Sequence, residues 1–247
     1  MELIQQNLHQ YTEHLKQLDK RKINSHDIPN YVQFKTMSQA LRDAGILKLY
    51  KLSKHNGAHS ATIFFQSVYL WDYTLSRYSR PLTESEHNAL ITASYMLSFK
   101  YQCGDIFNQS ISSTIIAAEY HIFQALEFNL VVPNMMLVLR LISWELAQGE
   151  ERARTMARIL MTCALFDKSY IKYNAVQIAS ACMIVACKIK QRPTDAIEEF
   201  CQCDATIYPF IKRAFNTYKD NPVIKDIEAS RNVQGTLVQI NDYFAQY

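Results

Sequence analysis

The sequence predicts an all-α protein of two tandem five-helix repeats, with an N-terminal helix before them and a short C-terminal tail after them. Three observations point there. The segments Ala89–Lys100 (ALITASYMLSFK) and Gln177–Lys188 (QIASACMIVACK) align without a gap 88 residues apart. The offset pairs Leu90 with Ile178, Ala93 with Ala181, Met96 with Ile184, Leu97 with Val185 and Lys100 with Lys188. Both segments are apolar nearly all round, so each is expected to be buried among other helices, and a fixed offset marks a duplicated unit. Apolar residues recur elsewhere at three- and four-residue steps, the helical period. Only 5 Gly and 6 Pro in 247 residues leave few turns for an all-β fold.

The elements follow in order. In 1–35, Leu3, Ile4, Leu8, Tyr11, Leu15 and Leu18 predict one helix over Met1–Lys22, then a connector broken at Pro29. The first repeat, 36–132, opens with a helix from Thr36 to Leu52 on Met37, Leu41, Ile46 and Leu49, stopped at His55-Asn56-Gly57. A helix from Ser60 or Thr62 to Tyr78 follows. Thr83-Glu84-Ser85-Glu86 is a capping box for the central helix, which runs to Tyr101. Gly104-Asp105 makes a turn, and a short element leads to a helix over Ser112–Glu127. Pro133 opens the second repeat, 133–220, with helices over Asn134–Ala147, Glu151–Phe166, Tyr173–Ile189, Thr194–Cys201 and Ala205–Tyr218. The stretch 221–247 reads as a polar tail.

Composition narrows the function classes. The net charge is +3 and basic residues are dispersed, whereas nucleic-acid binding leaves a dense basic footprint. No apolar run approaches the ~18 residues of a membrane span, and the polar, charged Met1–Lys22 does not read as a signal peptide. The six cysteines show no paired Cys-x-x-Cys spacing, so no zinc site is expected. Cys182 and Cys187 fall inside a buried helix as small hydrophobes, and a reducing intracellular compartment is expected. There is no phosphate-binding glycine loop, no His-Glu-x-x-His and no Gly-x-Ser-x-Gly, and no catalytic residue emerges. His121 points to a different helix face from Glu119 and reads as a surface residue.

One constellation stands out. Ile115, Glu119, Ile122 and Leu126 step by four, three and four, placing Glu119 in an apolar stripe. A carboxylate there needs a partner to offset its desolvation. Lys100, on the face of Ala93, Met96 and Leu97, is the candidate to reach it. At the 88-residue offset Glu119 falls on Ile207, while Tyr120, Ile122 and Phe123 fall on Tyr208, Phe210 and Ile211. The first repeat thus carries a charge where packing alone favours an apolar residue, and such departures mark functional sites. A structural ion pair near a helix end is the alternative. Phe123 and Leu126 are expected in the core.

The run Glu119-Tyr-His-Ile-Phe-Gln-Ala-Leu-Glu-Phe-Asn-Leu-Val-Val-Pro133 resembles the end of a cyclin box, in which a glutamate precedes Leu-x-Phe-x-Leu and a proline opens the second repeat. Leu97-Ser-Phe-Lys-Tyr101 resembles the family's Ala-Ser-Lys-Phe/Tyr stretch, and Tyr69-Leu-Trp-Asp-Tyr-Thr-Leu75 its Tyr-Ile-Asp-Arg-Phe-Leu. Met37-Ser-Gln-Ala-Leu-Arg-Asp43 resembles Met-Arg-Ala-Ile-Leu-Val-Asp. Asp167–Tyr173 resembles the approach to the third helix of the second repeat in A/B-type cyclins. The resemblance spans about Thr36 to Asn221 and is nearest to A/B-type cyclins, with divergence. It implies a non-catalytic regulatory subunit of a cyclin-dependent protein kinase, with no cofactor, metal, membrane or homo-oligomer, acting in nucleus and/or cytoplasm. In that family the lysine and glutamate grip the kinase beside its regulatory helix, and carried over they are Lys100 and Glu119. The family's N-terminal helix packs on the body and touches the kinase, which Leu8, Tyr11 and Leu15 match.

Departures from the pattern carry expectations too. The family's first-helix face docks Arg-x-Leu motifs. Here it maps to Met37, Ala40, Leu41, Asp43 and Ala44, and alanine at 40 and 44 leaves it shallow, at ~25 cal/mol per Å2 of apolar area lost. The motif's arginine is Ser38 here, and the arginine of Asp-Arg-Phe-Leu is Tyr73, so a structural ion pair is expected to be missing. Gln102 and Cys103 stand where acids usually follow the lysine, and no destruction-box pattern is present. The alternative functions are a cyclin-fold adaptor binding protein or nucleic acid without a kinase, and a relative that has lost kinase binding.

Overall fold

The computed structural model describes residues 37–78, 80–104, 112–128, 132, 134–145, 151–201, 204–230 and 234–246, all of them helical or in connections between helices. Leu8, Tyr11 and Leu15 lie outside these residues. The chain forms two compact units that part between Asn134 and Met135.

In the first unit, α1 (Gln39–Ser53), a 3-10 turn (Gly57–His59), α2 (Ser60–Arg77), α3 (Glu84–Cys103) and α4 (Ser113–Ala125) follow in order. Local chemistry sets the ends. The Ser38 hydroxyl accepts from the Leu41 amide at 3.2 Å and caps α1. Thr83 and Glu86 form the predicted capping box of α3, and the Arg80 guanidinium beside Glu86 holds that carboxyl down to about 2. Gly104, at φ 69, closes α3 in the left-handed conformation that glycine adopts without strain. α3 packs against α1, α2 and α4.

In the second unit, α5 (Met135–Glu145), α6 (Glu151–Phe166), a 3-10 turn (Lys168–Lys172), α7 (Ala175–Ile189), α8 (Asp195–Cys201) and α9 (Ile207–Tyr218) lead to α10 (Pro222–Ser230) and α11 (Thr236–Gln246). Asn174 and Gln177 cap α7 reciprocally, at 2.8 and 3.0 Å. α7 touches α5, α6, α8, α9 and α11, and is buried almost throughout from Ala175 to Cys187.

The two central helices match in what they bury: Leu90 and Ile178, Ala93 and Ala181, Met96 and Ile184, and Leu97 and Val185 are all in the core. The match stops short of apolar burial all round, because α3 keeps Thr92, Tyr95 and Phe99 half-buried on one side. Nor do the described residues spell out two five-helix repeats: the first unit shows four α-helices among them and the second shows seven. The stretch 221–247 holds α10 and α11 rather than a tail. Val223, Ile224 and Ile227 are buried where α10 meets α6, and Ile240 and Phe244 where α11 meets α7. The apolar spacing on each is one turn long, too short to stand out among Asn, Asp and Lys. Lys190 to Gln239 (2.7 Å) and Lys219 to Asn241 (2.6 Å) fasten α11 from outside.

Candidate functional site

α4 has three sides. Ala118, Ile122 and Leu126 are buried against the unit. At i, i+4 and i+7, Ile116, Tyr120 and Phe123 form a second apolar stripe turned outward, with Ile116 55% and Tyr120 54% exposed. Glu119 sits on the seam between the two stripes. Lys100, in the last turn of α3, donates from Nζ to Glu119 Oε1 at 2.7 Å. The lysine side chain is 32% exposed and the glutamate 15%, so the pair is a partly dried charge at the rim of an apolar surface.

The surface continues past the end of α4. The Phe128 amide donates to the Phe123 carbonyl at 2.8 Å and the Glu127 amide to the Gln124 carbonyl at 3.0 Å, a Schellman closure. It is built with Glu127 at φ 51 and Phe128 at φ 58, where non-glycine residues are strained. The result is a phenylalanine displayed to solvent, 66% exposed. Its ring stacks on Phe123 at 6.2 Å and meets Tyr120 edge-on at 6.3 Å. Tyr101, beside Lys100 in the sequence, is 49% exposed.

The expectation that Phe123 is core is thereby corrected: Leu126 is buried, but Phe123 is half-buried and backs the exposed Phe128. Ile116, Tyr120, Phe128 and Tyr101 were missed in the sequence. The signal was there in the 116/120/123 spacing, offset by one residue from the core stripe. His121 is exposed, with its ring edge-on to Tyr78 at 5.7 Å. Gln102 is half-buried and donates to the buried Gln66 at 2.7 Å.

The helix α1 face divides. Ala40, Leu41 and Ala44 are exposed, Asp43 accepts from Gln39 at 2.7 Å, and Met37 is buried. Tyr73 makes no ion pair at the position of the family's arginine, but the unit holds another pair that the sequence reading did not anticipate. Arg42, four residues beyond Ser38, donates from Nη2 to Asp72 Oδ2 at 2.8 Å with both side chains sealed from solvent. Arg42 lies on the stripe of Ile46 and Leu49, and Asp72 interrupts an apolar run on α2, so each pointed inward in the sequence.

In the second unit Ile207 is buried, as packing favours at the position equivalent to Glu119. Lys188, equivalent to Lys100, pairs instead with Glu198 on α8 at 3.0 Å, both well exposed. Among the described residues no His, Cys, Asp or Glu cluster is arranged to hold a metal, and no helix is long and apolar enough to cross a membrane.

Over 107 residues, 43% of its length, the chain is 32% identical to a G2/mitotic-specific cyclin-B from Emericella nidulans. The similarity supports a relationship to the cyclin family. The chain covers 22% of that relative's length, and no family profile matches it.

Proposed function

We propose that this chain is a cyclin-like regulatory subunit that binds and activates a cyclin-dependent protein kinase through the first unit. The observation that carries the reading is the Lys100–Glu119 pair, held at 2.7 Å on the edge of an exposed aromatic surface. Aromatic anchors beside a partly desolvated charge pair have the makeup of an interface hot spot. Among the described residues, the equivalent helix of the second unit has neither a partly desolvated charge at that position nor an exposed aromatic stripe. The resemblance to cyclins supports a kinase as that partner, because Lys100 and Glu119 stand at the positions of the lysine and glutamate that the family uses to hold one.

The action required is selective binding. A protein kinase is competent when its own lysine–glutamate pair and magnesium-binding aspartate are in place. A rigid surface that binds only that form shifts the population toward it, and moving the balance from 1:99 to 99:1 takes about 5.5 kcal/mol of differential affinity. Nothing in this action asks the chain for a catalytic residue.

The deciding experiment passes a lysate from the source organism over the immobilised chain and over its Lys100→Ala/Glu119→Ala variant. A cyclin-dependent kinase retained by the first and lost by the second, with its histone kinase activity raised on the first, is the expected result. Equal retention by both sinks this interface, and retention of no kinase sinks the activator reading in favour of an adaptor.

A further inference from the structure

The first unit carries a surface pocket of about 380 Å3 where the end of α2 meets the end of α4. Thr74, Arg77, Tyr78, His121, Gln124 and Glu127 line it. Thr74 is 1% exposed and its hydroxyl has no hydrogen-bond partner. A helical threonine has an internal acceptor to hand, the carbonyl four residues back. Thr92, Thr155, Thr162 and Thr217 each use it, at 2.8 to 3.0 Å, and Thr74 does not.

A buried hydroxyl without a partner costs stability, so its place calls for a reason. Core packing supplies none. The cyclin motif that Tyr69–Leu75 resembles has its phenylalanine at this position, and threonine gives up the apolar area of that ring. What threonine adds is a donor and an acceptor at the base of a pocket. The side chains at the rim, Gln124 and Glu127, are exposed.

The form of the guest follows from the lining. Arg77, which donates to the Tyr73 hydroxyl at 2.9 Å, and Glu127 bring one formal charge of each sign. A carboxylate guest meets Glu127, and an ammonium guest meets Arg77. A carboxamide carries an acceptor oxygen and a donor NH2 without net charge, so it suits both, and the Thr74 hydroxyl can serve either end. On α4 the outward stripe of Ile116, Tyr120 and Phe123 has Glu119 on one side and His121 and Gln124 on the other. The pocket thus borders the surface that carries the kinase reading. We propose that it receives an asparagine or glutamine side chain of that kinase, an inference that rests on the kinase reading.

The test titrates the full chain, with its threonine methyl groups isotope-labelled for NMR, with propionamide, propionate and propylamine. The signal missing from the Thr74→Val spectrum identifies Thr74. It shifts and saturates with propionamide, and moves less than about a third as far with either charged compound at equal concentration. An equal shift with all three, or none with propionamide, overturns the amide pocket. Thr74→Val raises Tm by roughly 2–4 °C, because the fold alone leaves the hydroxyl unpaired, and a fall in Tm overturns the claim that it is kept for a guest. Kinase retained from the lysate by immobilised Thr74→Val falls roughly fivefold below the parent. Equal retention overturns this inference and leaves the kinase reading intact. Retention of no kinase by the parent overturns the kinase as source of the guest, and the propionamide titration then decides the pocket separately.

Discussion

Arg42 of α1 and Asp72 of α2 form an ion pair at 2.8 Å with both side chains out of reach of water. A pair so placed ties the two helices together, and its worth shows only when it is broken on one side. Losing one partner of a buried pair costs about 3–5 kcal/mol, because the remaining charge stays in the interior. Replacing both by apolar residues of similar size is often close to neutral.

Asp72→Ala is therefore expected to lower Tm by roughly 6–20 °C, at about 2–4 °C per kcal/mol for a chain of this size. Arg42→Met/Asp72→Leu recovers most of that loss. Calorimetric melts of the three proteins check both statements, and a double variant no better than Asp72→Ala contradicts the account.

Gly45 is required by a neighbour rather than by its backbone. A Cβ there would run into the fully buried Trp71 ring, whose Cζ2 would lie at 2.8 Å. Gly45→Ala is expected to destabilise by about 1–3 kcal/mol, the usual cost of overpacking, although alanine is the better helix former by ~1 kcal/mol. Gly45→Ala/Trp71→Phe should restore part of the loss in urea unfolding. A single variant as stable as the parent would refute the contact.

Much of this was legible in the sequence where the signal was local. Thr83 with Glu86 announced the start of α3, and the 88-residue repeat found both central helices with their buried positions. Glu119 was conspicuous because a charge in an apolar stripe demands a partner, and Lys100 was the cation one helix away. What escaped was set by packing between distant elements. Reading the first-helix arginine at Ser38 hid Arg42, which shares a stripe with Ile46 and Leu49. α10 and α11 each bury only a few side chains on a larger neighbour, and short helices of that kind owe their stability to tertiary contact. The display of Phe128 depends on two residues at positive φ, which no propensity favours.

His87 lies in the first turn of α3 with its ring edge-on to Trp71 at 5.7 Å, and burial holds its pKa below the usual histidine value. The unfolded chain therefore takes up this proton at a higher pH than the folded one. The stability it contributes is complete above the unfolded value of about 6.5 and is lost as pH falls toward the folded value. Between pH 7.5 and 5, the parent is expected to lose more Tm than His87→Gln does. Parallel Tm-against-pH curves for the two proteins would show that His87 is not the group responsible.

The Lys100–Glu119 pair separates binding from folding. Each side chain is partly open to water, and pairs of that kind add ~1 kcal/mol or less to stability. Covered by a partner, the same pair loses its solvent, and removing one member then costs about 2–5 kcal/mol of affinity. Lys100→Ala is expected to weaken kinase binding roughly thirtyfold or more while lowering Tm by only about 2–4 °C. Phe128→Ala removes an exposed ring, leaves Tm within about 2 °C of the parent, and is expected to cost at least ~1 kcal/mol of binding as an aromatic anchor. Titration calorimetry of the single variants and of Lys100→Ala/Glu119→Ala measures the coupling. A double variant no weaker than either single one means that lysine and glutamate act as one contact. Strictly additive losses would mean that they meet the kinase separately, and a fall in Tm as large as the fall in affinity would return the pair to a purely structural role.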